Sequence, residues 1–245
     1  MSIAGNIARI RERIAAAAGR AGRSPAQTAL MAVSKTMPAD RIREAFEAGQ
    51  RLFGENRVQE FQSKHAELSA ASPTVASAAV CNVFDIEQAE FHLIGHLQSN
   101  KAAKAVELFH SVDSVDSLRL AERLDTASDK LGKTLRVLVE VNVGSEQAKS
   151  GLAPESPELL ELLRSAPRLR NLEFCGLMTI PPFTEDPESA RPYFRRLREL
   201  RDQLSNETGI ALPELSMGMS HDFEIAVEEG STCVRVGTAI FGERG

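Results

Sequence analysis

The sequence predicts an α/β fold, a (β/α)₈ TIM-type barrel in which residues 1–245 form a single domain. Its 245 residues are close to the roughly 250 that such a barrel needs. Eight short apolar segments alternate with helical segments, which is the pattern of a parallel α/β fold. A doubly wound sheet uses the same alternation. Even spacing and the lack of a glycine-rich dinucleotide turn favour the closed barrel.

Short apolar segments bounded by polar or glycine residues predict the strands. The first of them, TALMAVSKT, is continuously apolar in its centre, as expected for a strand that is buried on both faces. Each later segment ends on a similar change from apolar to polar residues. The eight predicted strands cover residues 28–36, 51–56, 91–97, 109–114, 135–143, 173–180, 213–220 and 232–240.

An amphipathic segment precedes the first strand, and one follows each of the first seven strands. The amino-terminal segment has isoleucines on one helical face, at Ile3, Ile7, Ile10 and Ile14. Ser99 or Asn100 is the predicted cap of the fourth helix. The eight predicted helices begin with this segment and continue over residues 38–49, 58–68, 99–108, 117–130, 156–166, 187–209 and 221–230. A surface insertion is predicted at residues 71–85, which are rich in small side chains.

Composition excludes several classes of partner. The formal net charge of −5 argues against a nucleic-acid surface, because neutralising phosphates needs clustered Lys and Arg. No apolar run approaches the roughly 20 residues that span a bilayer, so no membrane contact is expected. The amino terminus is too charged for a signal peptide. Three scattered cysteines, Cys81, Cys175 and Cys233, indicate reduced thiols and a cytoplasmic protein.

The carboxyl ends of the strands carry the candidate site, because active sites of such barrels lie there. Lys35 follows directly on the first apolar strand. A lysine at the edge of an apolar wall loses its proton more readily than one in water, which is what an imine-forming amine requires. The alternative is an ordinary surface lysine at a strand exit.

The last two strand ends predict a phosphate site. Ser216, Gly218 and Ser220 lie around a tight turn after the seventh strand, and Gly237 and Thr238 lie at the end of the eighth. Barrels of this kind frequently bind phosphate on the loops after these two strands. Glycine and serine are also the usual residues of ordinary strand-to-helix turns, so the interpretation of these segments as turns without a phosphate site stays open.

Other motifs have structural interpretations. His92 and His96 have the spacing of a helical metal pair but straddle a strand and its exit, so no metal site is predicted. Two charged sets are expected to be solvated helix surfaces, the acids Asp222, Glu224, Glu228 and Glu229 and the arginines Arg195, Arg196, Arg198 and Arg201. Core positions are predicted for Phe53, Phe91 and Phe241.

Five blocks along the chain resemble the pyridoxal phosphate homeostasis proteins. They are AVSKTMPADRIREAFEAGQRLFGENRVQE, FHLIGHLQSNK, VNVGSEQAKSGL, CGLMTIPPF and LSMGMSHDFEIAVEEGSTCVRVGTAIFGER. That family is similar in fold to the barrel domain of alanine racemase but lacks the racemase's second, β-rich domain. This chain ends directly after the last block, so it too is expected to lack that domain.

The resemblance implies pyridoxal 5′-phosphate as the cofactor and a residue set that binds it. Lys35 matches the lysine that forms an imine with the cofactor aldehyde, and Arg235 matches the arginine that faces the pyridine nitrogen. Gly237, Thr238 and Ser216 match phosphate-binding positions. The full predicted set is Lys35, Asn56, Met178, Ser216, Met217, Arg235, Gly237 and Thr238, with no catalytic residue.

The implied function is cofactor buffering and delivery in vitamin B6 homeostasis, with little or no turnover. An arginine beside the ring nitrogen disfavours carbanion chemistry. Tyr193, the one tyrosine, lies in a predicted helix well away from any strand end, so the racemase's second acid–base group is expected to be missing. The expected partners are the cofactor and, transiently, apo forms of enzymes that use it, and a monomer is expected. Two alternatives stay open, a weak amino-acid racemase or related enzyme and a barrel aldolase that uses Lys35.

Overall fold

The computed structural model describes residues 2–70, 84–146 and 149–242. Its eight strands are parallel and close into a barrel in sequence order, with β1 paired to both β2 and β8. The predicted barrel is therefore confirmed, and the doubly wound alternative is excluded because β1 and β8 are hydrogen-bonded neighbours. Most of the insertion predicted at residues 71–85 lies outside the described residues.

Each predicted strand segment overlaps one strand of the barrel. The bounds are β1 Ala29–Val33, β2 Leu52–Glu55, β3 Glu90–Leu93, β4 Ser111–Val115, β5 Leu135–Glu140, β6 Leu172–Met178, β7 Glu214–Ser216 and β8 Cys233–Val236. The predicted eighth strand is too long, because the chain turns into a short helix after Gly237. A buried apolar run of this length does not distinguish a strand from a helix by its periodicity.

The helices surround the barrel. Their bounds are α1 Ile3–Arg20, α2 Ala39–Glu47, α3 Val58–Ala70, α4 Ala102–Leu108, α5 Leu118–Leu131, α6 Pro157–Arg164, α7 Arg191–Thr208, α8 Phe223–Glu228 and α9 Thr238–Phe241. The isoleucine face of α1 is buried, as predicted. The predicted cap of α4 is wrong, because residues Ser99–Lys101 form a 3₁₀ turn and the α-helix begins after Lys101. Within the described residues, no helix is both long and apolar enough to cross a membrane.

The main core lies between the strands and the helices, and it includes Phe53, Phe91 and Phe241, as predicted. Two smaller apolar clusters are separate from it. One contains Met31, Val33, Ile94 and Cys233, and the other contains Leu138, Cys175 and Met178. Successive strand residues point to opposite faces, so these clusters belong to the inward-facing side chains that fill the barrel.

Charged helix residues pack together more closely than the sequence predicts. The Glu229 side chain is only 6% exposed and forms ion pairs with Arg191, Arg195 and Arg198. Asp222 is also buried and accepts a hydrogen bond from the Met219 amide at 2.6 Å. The prediction of a solvated acidic helix surface is therefore wrong for Glu229 and Asp222, whereas Arg195 is exposed as predicted. Helical periodicity identifies a polar face but not whether another helix carries the opposite charge against it.

His92 lies inside the barrel between two carboxylates. Its Nδ1 is 3.0 Å from Asp113 Oδ2 and its Nε2 is 2.9 Å from Glu90 Oε1. Burial alone lowers the pKa of His92, but the charges and hydrogen bonds of Asp113 and Glu90 outweigh it and raise the pKa to about 9. His96 pairs instead with Asp116, at 3.1 Å. The two histidines thus have different acidic partners.

Alkaline pH is expected to destabilise the fold through His92. Its folded pKa of about 9 lies above the unfolded value near 6.5, so the folded state holds the proton throughout this interval. The stabilisation is complete below pH 6.5 and disappears as the pH rises through 9, a loss of about 3 kcal/mol. Urea unfolding at pH 6, 7.5 and 9 measures this loss of unfolding free energy. His92→Gln should remove this part of the pH dependence, and an unchanged slope in that variant would contradict the assignment.

Candidate functional site

A cavity of about 270 Å³ opens where the strands end. Its lining residues come mainly from the ends of β1, β2, β3 and β8 and from the loop after β7. They are Val33, Lys35, Met37, Asn56, Ile94, Ile180, Met219, Ser220, His221, Arg235, Gly237, Thr238 and Gly242. A larger groove of about 460 Å³ lies at the opposite end of the barrel, beside Arg11, Gln50 and Arg51. Because it contains no residue from a strand's carboxyl end, we place the candidate site in the smaller cavity.

Five of the eight predicted site residues line this cavity: Lys35, Asn56, Arg235, Gly237 and Thr238. They come from three strand ends that are adjacent in the barrel, β8, β1 and β2. Residues that are up to about 200 positions apart in the chain therefore meet because the barrel closes between β8 and β1. The cavity combines an amine, a guanidinium, an amide and a hydroxyl group along one wall.

The other three predicted residues lie behind the lining. Met178 is fully buried in the inner cluster with Leu138 and Cys175, and Met217 is fully buried in the main core. Ser216 is also fully buried, and its Oγ accepts a hydrogen bond from Arg235. Met217 points outward to the main core, whereas Met178 and Ser216 lie inside the barrel without lining the cavity.

Arg235 is the buried cation of the site, with 3% of its surface exposed. Its two terminal nitrogens donate to Ser216 Oγ and to the Thr179 carbonyl oxygen, both at 2.7 Å. Burial lowers the pKa of the guanidinium, and nearby acidic groups, including Asp113, oppose this effect. The two hydrogen bonds fix the plane of the guanidinium against the cavity wall.

The loops after β7 and β8 form the end of the cavity that can hold an anion. Thr238 begins α9, and the first amides of a helix have no acceptor within the helix. Ser220 Oγ accepts a hydrogen bond from the Ala239 amide at 3.4 Å and lines the same cavity. Gly218 has φ +96°, and a Cβ there would lie 2.5 Å from Ala226 Cβ. Only glycine therefore permits the turn that brings Ser220 toward Thr238.

Sequence reasoning missed the apolar wall of the cavity, to which Val33, Met37, Ile94 and Ile180 contribute. It also missed His221, whose ring lies 5.6 Å from that of Phe183. Phe183 is 79% exposed and belongs to the loop after β6. The signal available in the sequence was position, because each of these residues lies at or just after a strand end.

Glu140 is a buried carboxyl group at the end of β5. No described group lies within hydrogen-bonding distance of its Oε2. Burial, reinforced by the negative charge of Asp116, raises the pKa of Glu140 to about 7 against the opposing effects of Arg235 and His96. The carboxyl group is therefore largely protonated in mildly acidic solution.

Glu140→Gln is expected to stabilise the protein at pH 8. A carboxyl group whose folded pKa lies above its unfolded value contributes stability at low pH and loses it as the pH rises, here between about 4.5 and 7. The neutral amide avoids this loss, so the variant should exceed the wild type by about 2–3 kcal/mol at pH 8. Urea unfolding at pH 5 and pH 8 measures the difference. An equal effect at both pH values would contradict the raised pKa.

Comparison with known proteins shows one consistent similarity. The family described as "Alanine racemase, N-terminal domain" matches residues 5–245. Two relatives named "Pyridoxal phosphate homeostasis protein" are similar over the whole chain. The protein from Aquifex aeolicus is 45% identical and covers 100% of this chain and 99% of its own. The protein from Pseudomonas aeruginosa is 44% identical, with 99% and 96% covered.

A solved structure has the same fold and is similar in sequence. PipY from Synechococcus elongatus, described with PLP bound, superposes with a TM-score of 0.80 at 38% identity. The match covers 98% of this chain and 100% of PipY.

Proposed function

Because the chain belongs to the pyridoxal phosphate homeostasis proteins, within the alanine racemase N-terminal domain family, we propose that it binds pyridoxal 5′-phosphate in the cavity at the strand ends. The observation that carries the proposal is that Lys35 and Arg235 share one cavity with the start of α9. Lys35 suits the aldehyde of the cofactor, Arg235 suits the pyridine nitrogen, and the start of α9 suits the phosphate.

The residues present fit this cofactor. The hydroxyl groups of Thr238 and Ser220 offer hydrogen-bond donors to a phosphate at the turn into α9. The apolar side chains Val33 and Ile94 offer packing surface to the ring. We assign to Asn56 and Gly237 contacts with the cofactor, and to Ser216, Met178 and Met217 the support of the wall behind it.

The bound cofactor would supply an aldehyde for condensation with an amine. Lys35 would supply that amine and so hold the cofactor covalently, with one water released when the bond forms and consumed when it is broken. The apolar wall, which includes Met37 and Ile180, limits water access and so disfavours the reverse reaction.

The protein is proposed to carry the cofactor without efficient turnover. The positive charge of Arg235 disfavours a protonated ring nitrogen, since two adjacent cations repel each other. Carbanion chemistry usually depends on that protonation. Tyr193, the only tyrosine of the chain, lies in α7 and does not line the cavity.

The role that follows is buffering and delivery of pyridoxal 5′-phosphate in vitamin B6 homeostasis. We propose apo forms of enzymes that use this cofactor as transient partners. We further propose a cytoplasmic monomer whose residues 1–245 form one domain. Cys175 and Cys233 are buried free thiols, which is compatible with a reducing compartment.

A spectroscopic titration tests the binding proposal. Purified protein mixed with pyridoxal 5′-phosphate should develop the absorption band of an imine, and borohydride should fix the label on Lys35. Incubation of the loaded protein with alanine or serine enantiomers should give no turnover above free cofactor. Transfer to an apoenzyme should be faster than spontaneous release. No imine band would overturn the binding proposal, and an imine formed with a sugar phosphate instead would favour the aldolase.

One observation keeps the racemase alternative testable. His221 lines the cavity together with Lys35 and is a possible second proton-transfer group, although its Nε2 lies 3.0 Å from the Glu185 carbonyl oxygen. If the wild-type protein racemises an amino acid and His221→Ala does not, the racemase alternative is correct and the carrier function is wrong.

A further inference from the structure

A second lysine lies buried beside Lys35 and is held by two carboxylates. The Lys64 side chain is 9% exposed. Its Nζ lies 2.9 and 3.1 Å from the two carboxylate oxygens of Glu55 and 2.7 Å from Glu60 Oε1. The Glu55 side chain is fully buried. These contacts occupy the Lys64 nitrogen, and Lys64 does not line the cavity, so it is not a candidate for the imine-forming amine.

The same ammonium group holds the backbone immediately before Lys35. Lys64 Nζ donates to the Ser34 carbonyl oxygen at 2.9 Å. Ser34 Oγ donates to Glu55 Oε1 at 2.8 Å. The carbonyl oxygen and the hydroxyl group of Ser34 are therefore both bonded to the ion pair of Lys64 and Glu55. Ser34 is fully buried and follows the last residue of β1.

The backbone immediately after Lys35 is held by the second carboxylate. The Thr36 amide donates to Glu60 Oε1 at 2.6 Å. Although partial burial opposes it, the hydrogen bonds from Lys64 and from this amide lower the pKa of Glu60, so the acceptor is an anion. Lys64, Glu55 and Glu60 therefore contact the chain on both sides of Lys35.

The turn that carries Lys35 needs such support. Lys35 and Thr36 are its two central residues, because the Met37 amide donates to the Ser34 carbonyl oxygen at 3.0 Å. Thr36 has φ +65°, in the left-handed region. This position of a turn favours glycine or asparagine, and a β-branched residue there is strained. Strained turns persist only where the surrounding contacts hold them.

We propose that Lys64, Glu55 and Glu60 form a positioning unit that holds the Ser34–Met37 turn and thereby directs the Lys35 amine into the cavity. This inference rests on the proposed function, because the Lys35 amine is the group whose direction matters. The unit acts through the backbone of Ser34 and Thr36 and does not contact the cofactor. Condensation requires the amine to approach the aldehyde carbon along a defined direction, so a freely moving turn would slow it and shift its equilibrium.

Paired substitutions of Glu60 test the unit. Glu60→Ala removes the acceptor of the Thr36 amide, whereas Glu60→Gln keeps a side-chain oxygen at the same place. Glu60 is partly exposed, so both variants are expected to fold. Glu107→Ala is the matched control, because it removes an ion pair of the same 2.7 Å length with Lys104 on the surface of α4.

The expected result is a loss of imine formation that glutamine rescues. For Glu60→Ala the equilibrium constant for condensation with pyridoxal 5′-phosphate, read from the imine band, should fall roughly tenfold, the factor given by about 1.4 kcal/mol. Glu60→Gln and Glu107→Ala should stay close to the wild type. Hydrogen exchange in the cofactor-free protein should show a faster Thr36 amide in Glu60→Ala only. A purely structural role would lower the melting temperature without separating alanine from glutamine in these two measurements.

A second variant addresses the buried pair itself. Lys64→Met alone would leave Glu55 buried without a cation and could prevent folding. The double variant Lys64→Met/Glu55→Gln removes both charges and should weaken condensation at least as much as Glu60→Ala. If Glu60→Ala and the double variant kept the wild-type affinity and exchange rates, the positioning role would be wrong, while the proposed function would stand. Absence of any imine on Lys35 in the wild type would overturn the proposed function and the unit together.

Discussion

Replacement of Lys35 by alanine is expected to abolish the imine band of the loaded protein and to weaken cofactor binding by about 100-fold or more. Lys35 is the lysine at the cavity wall beside Arg235 and Thr238. Without its amine, the cofactor keeps only the hydrogen bonds, ion contacts and packing of the remaining wall. A 100-fold loss of affinity corresponds to about 2.7 kcal/mol of binding free energy, which is a modest contribution for a covalent but reversible bond.

The measurement is a spectroscopic titration combined with borohydride reduction and peptide mapping. Lys35→Arg keeps the positive charge but cannot condense, so it separates charge from imine formation. Lys104→Ala, which removes a partly exposed lysine on α4, is the control for nonspecific labelling. The assignment fails if the label is found on another lysine or if the alanine variant keeps the band.

Arg235→Met is expected to lower the free energy of unfolding by about 2–4 kcal/mol, because two buried oxygen acceptors lose their hydrogen-bond donor. The guanidinium holds Ser216 Oγ and the Thr179 carbonyl oxygen. Methionine fills similar space but leaves both groups without this donor. In a chain of this size the loss corresponds to a melting temperature lower by about 10 °C.

Arg235→Lys is the informative comparison. Lysine keeps the charge near Asp113 but, as a single ammonium group, does not reproduce the fixed fork that reaches two acceptors. Its stability should therefore lie between those of the wild type and Arg235→Met in thermal melts of the cofactor-free protein. A methionine variant as stable as the wild type would show that the two hydrogen bonds contribute little.

Several features of the fold were predictable because they depend on local patterns. The alternation of apolar and amphipathic segments identified all eight strands, and polar and glycine residues at the strand ends identified Lys35, Asn56, Gly237 and Thr238 as neighbours. Arg235 was identified only through the family resemblance. Local patterns could not predict the structure of a segment whose sequence suits both a strand and a helix. The apolar residues after Gly237 form α9, although their composition equally suits the end of a strand.

The candidate site shows the same division between local and long-range information. Met178, Ser216 and Met217 were chosen by their position at a strand end, yet all three side chains are buried behind the cavity wall. Met217 faces outward, whereas Met178 and Ser216 face the barrel interior without reaching the cavity lining. These placements depend on the register of β6 and β7 with the neighbouring strands. A one-residue change of register turns a side chain to the other face, and neighbouring strands set that register.

By itself, the sequence determined the order of strands and helices, the family, and the strand ends from which the cavity is built, because periodicity and short motifs are properties of neighbouring residues. Only the tertiary structure decided which charges are buried together. Lys64 beside Glu55 under the Lys35 turn, and Glu229 among three arginines, depend on how α3 packs against β2 and how α7 packs beside α8. The energy of a charge depends on its surroundings in space, and these form only when the barrel closes.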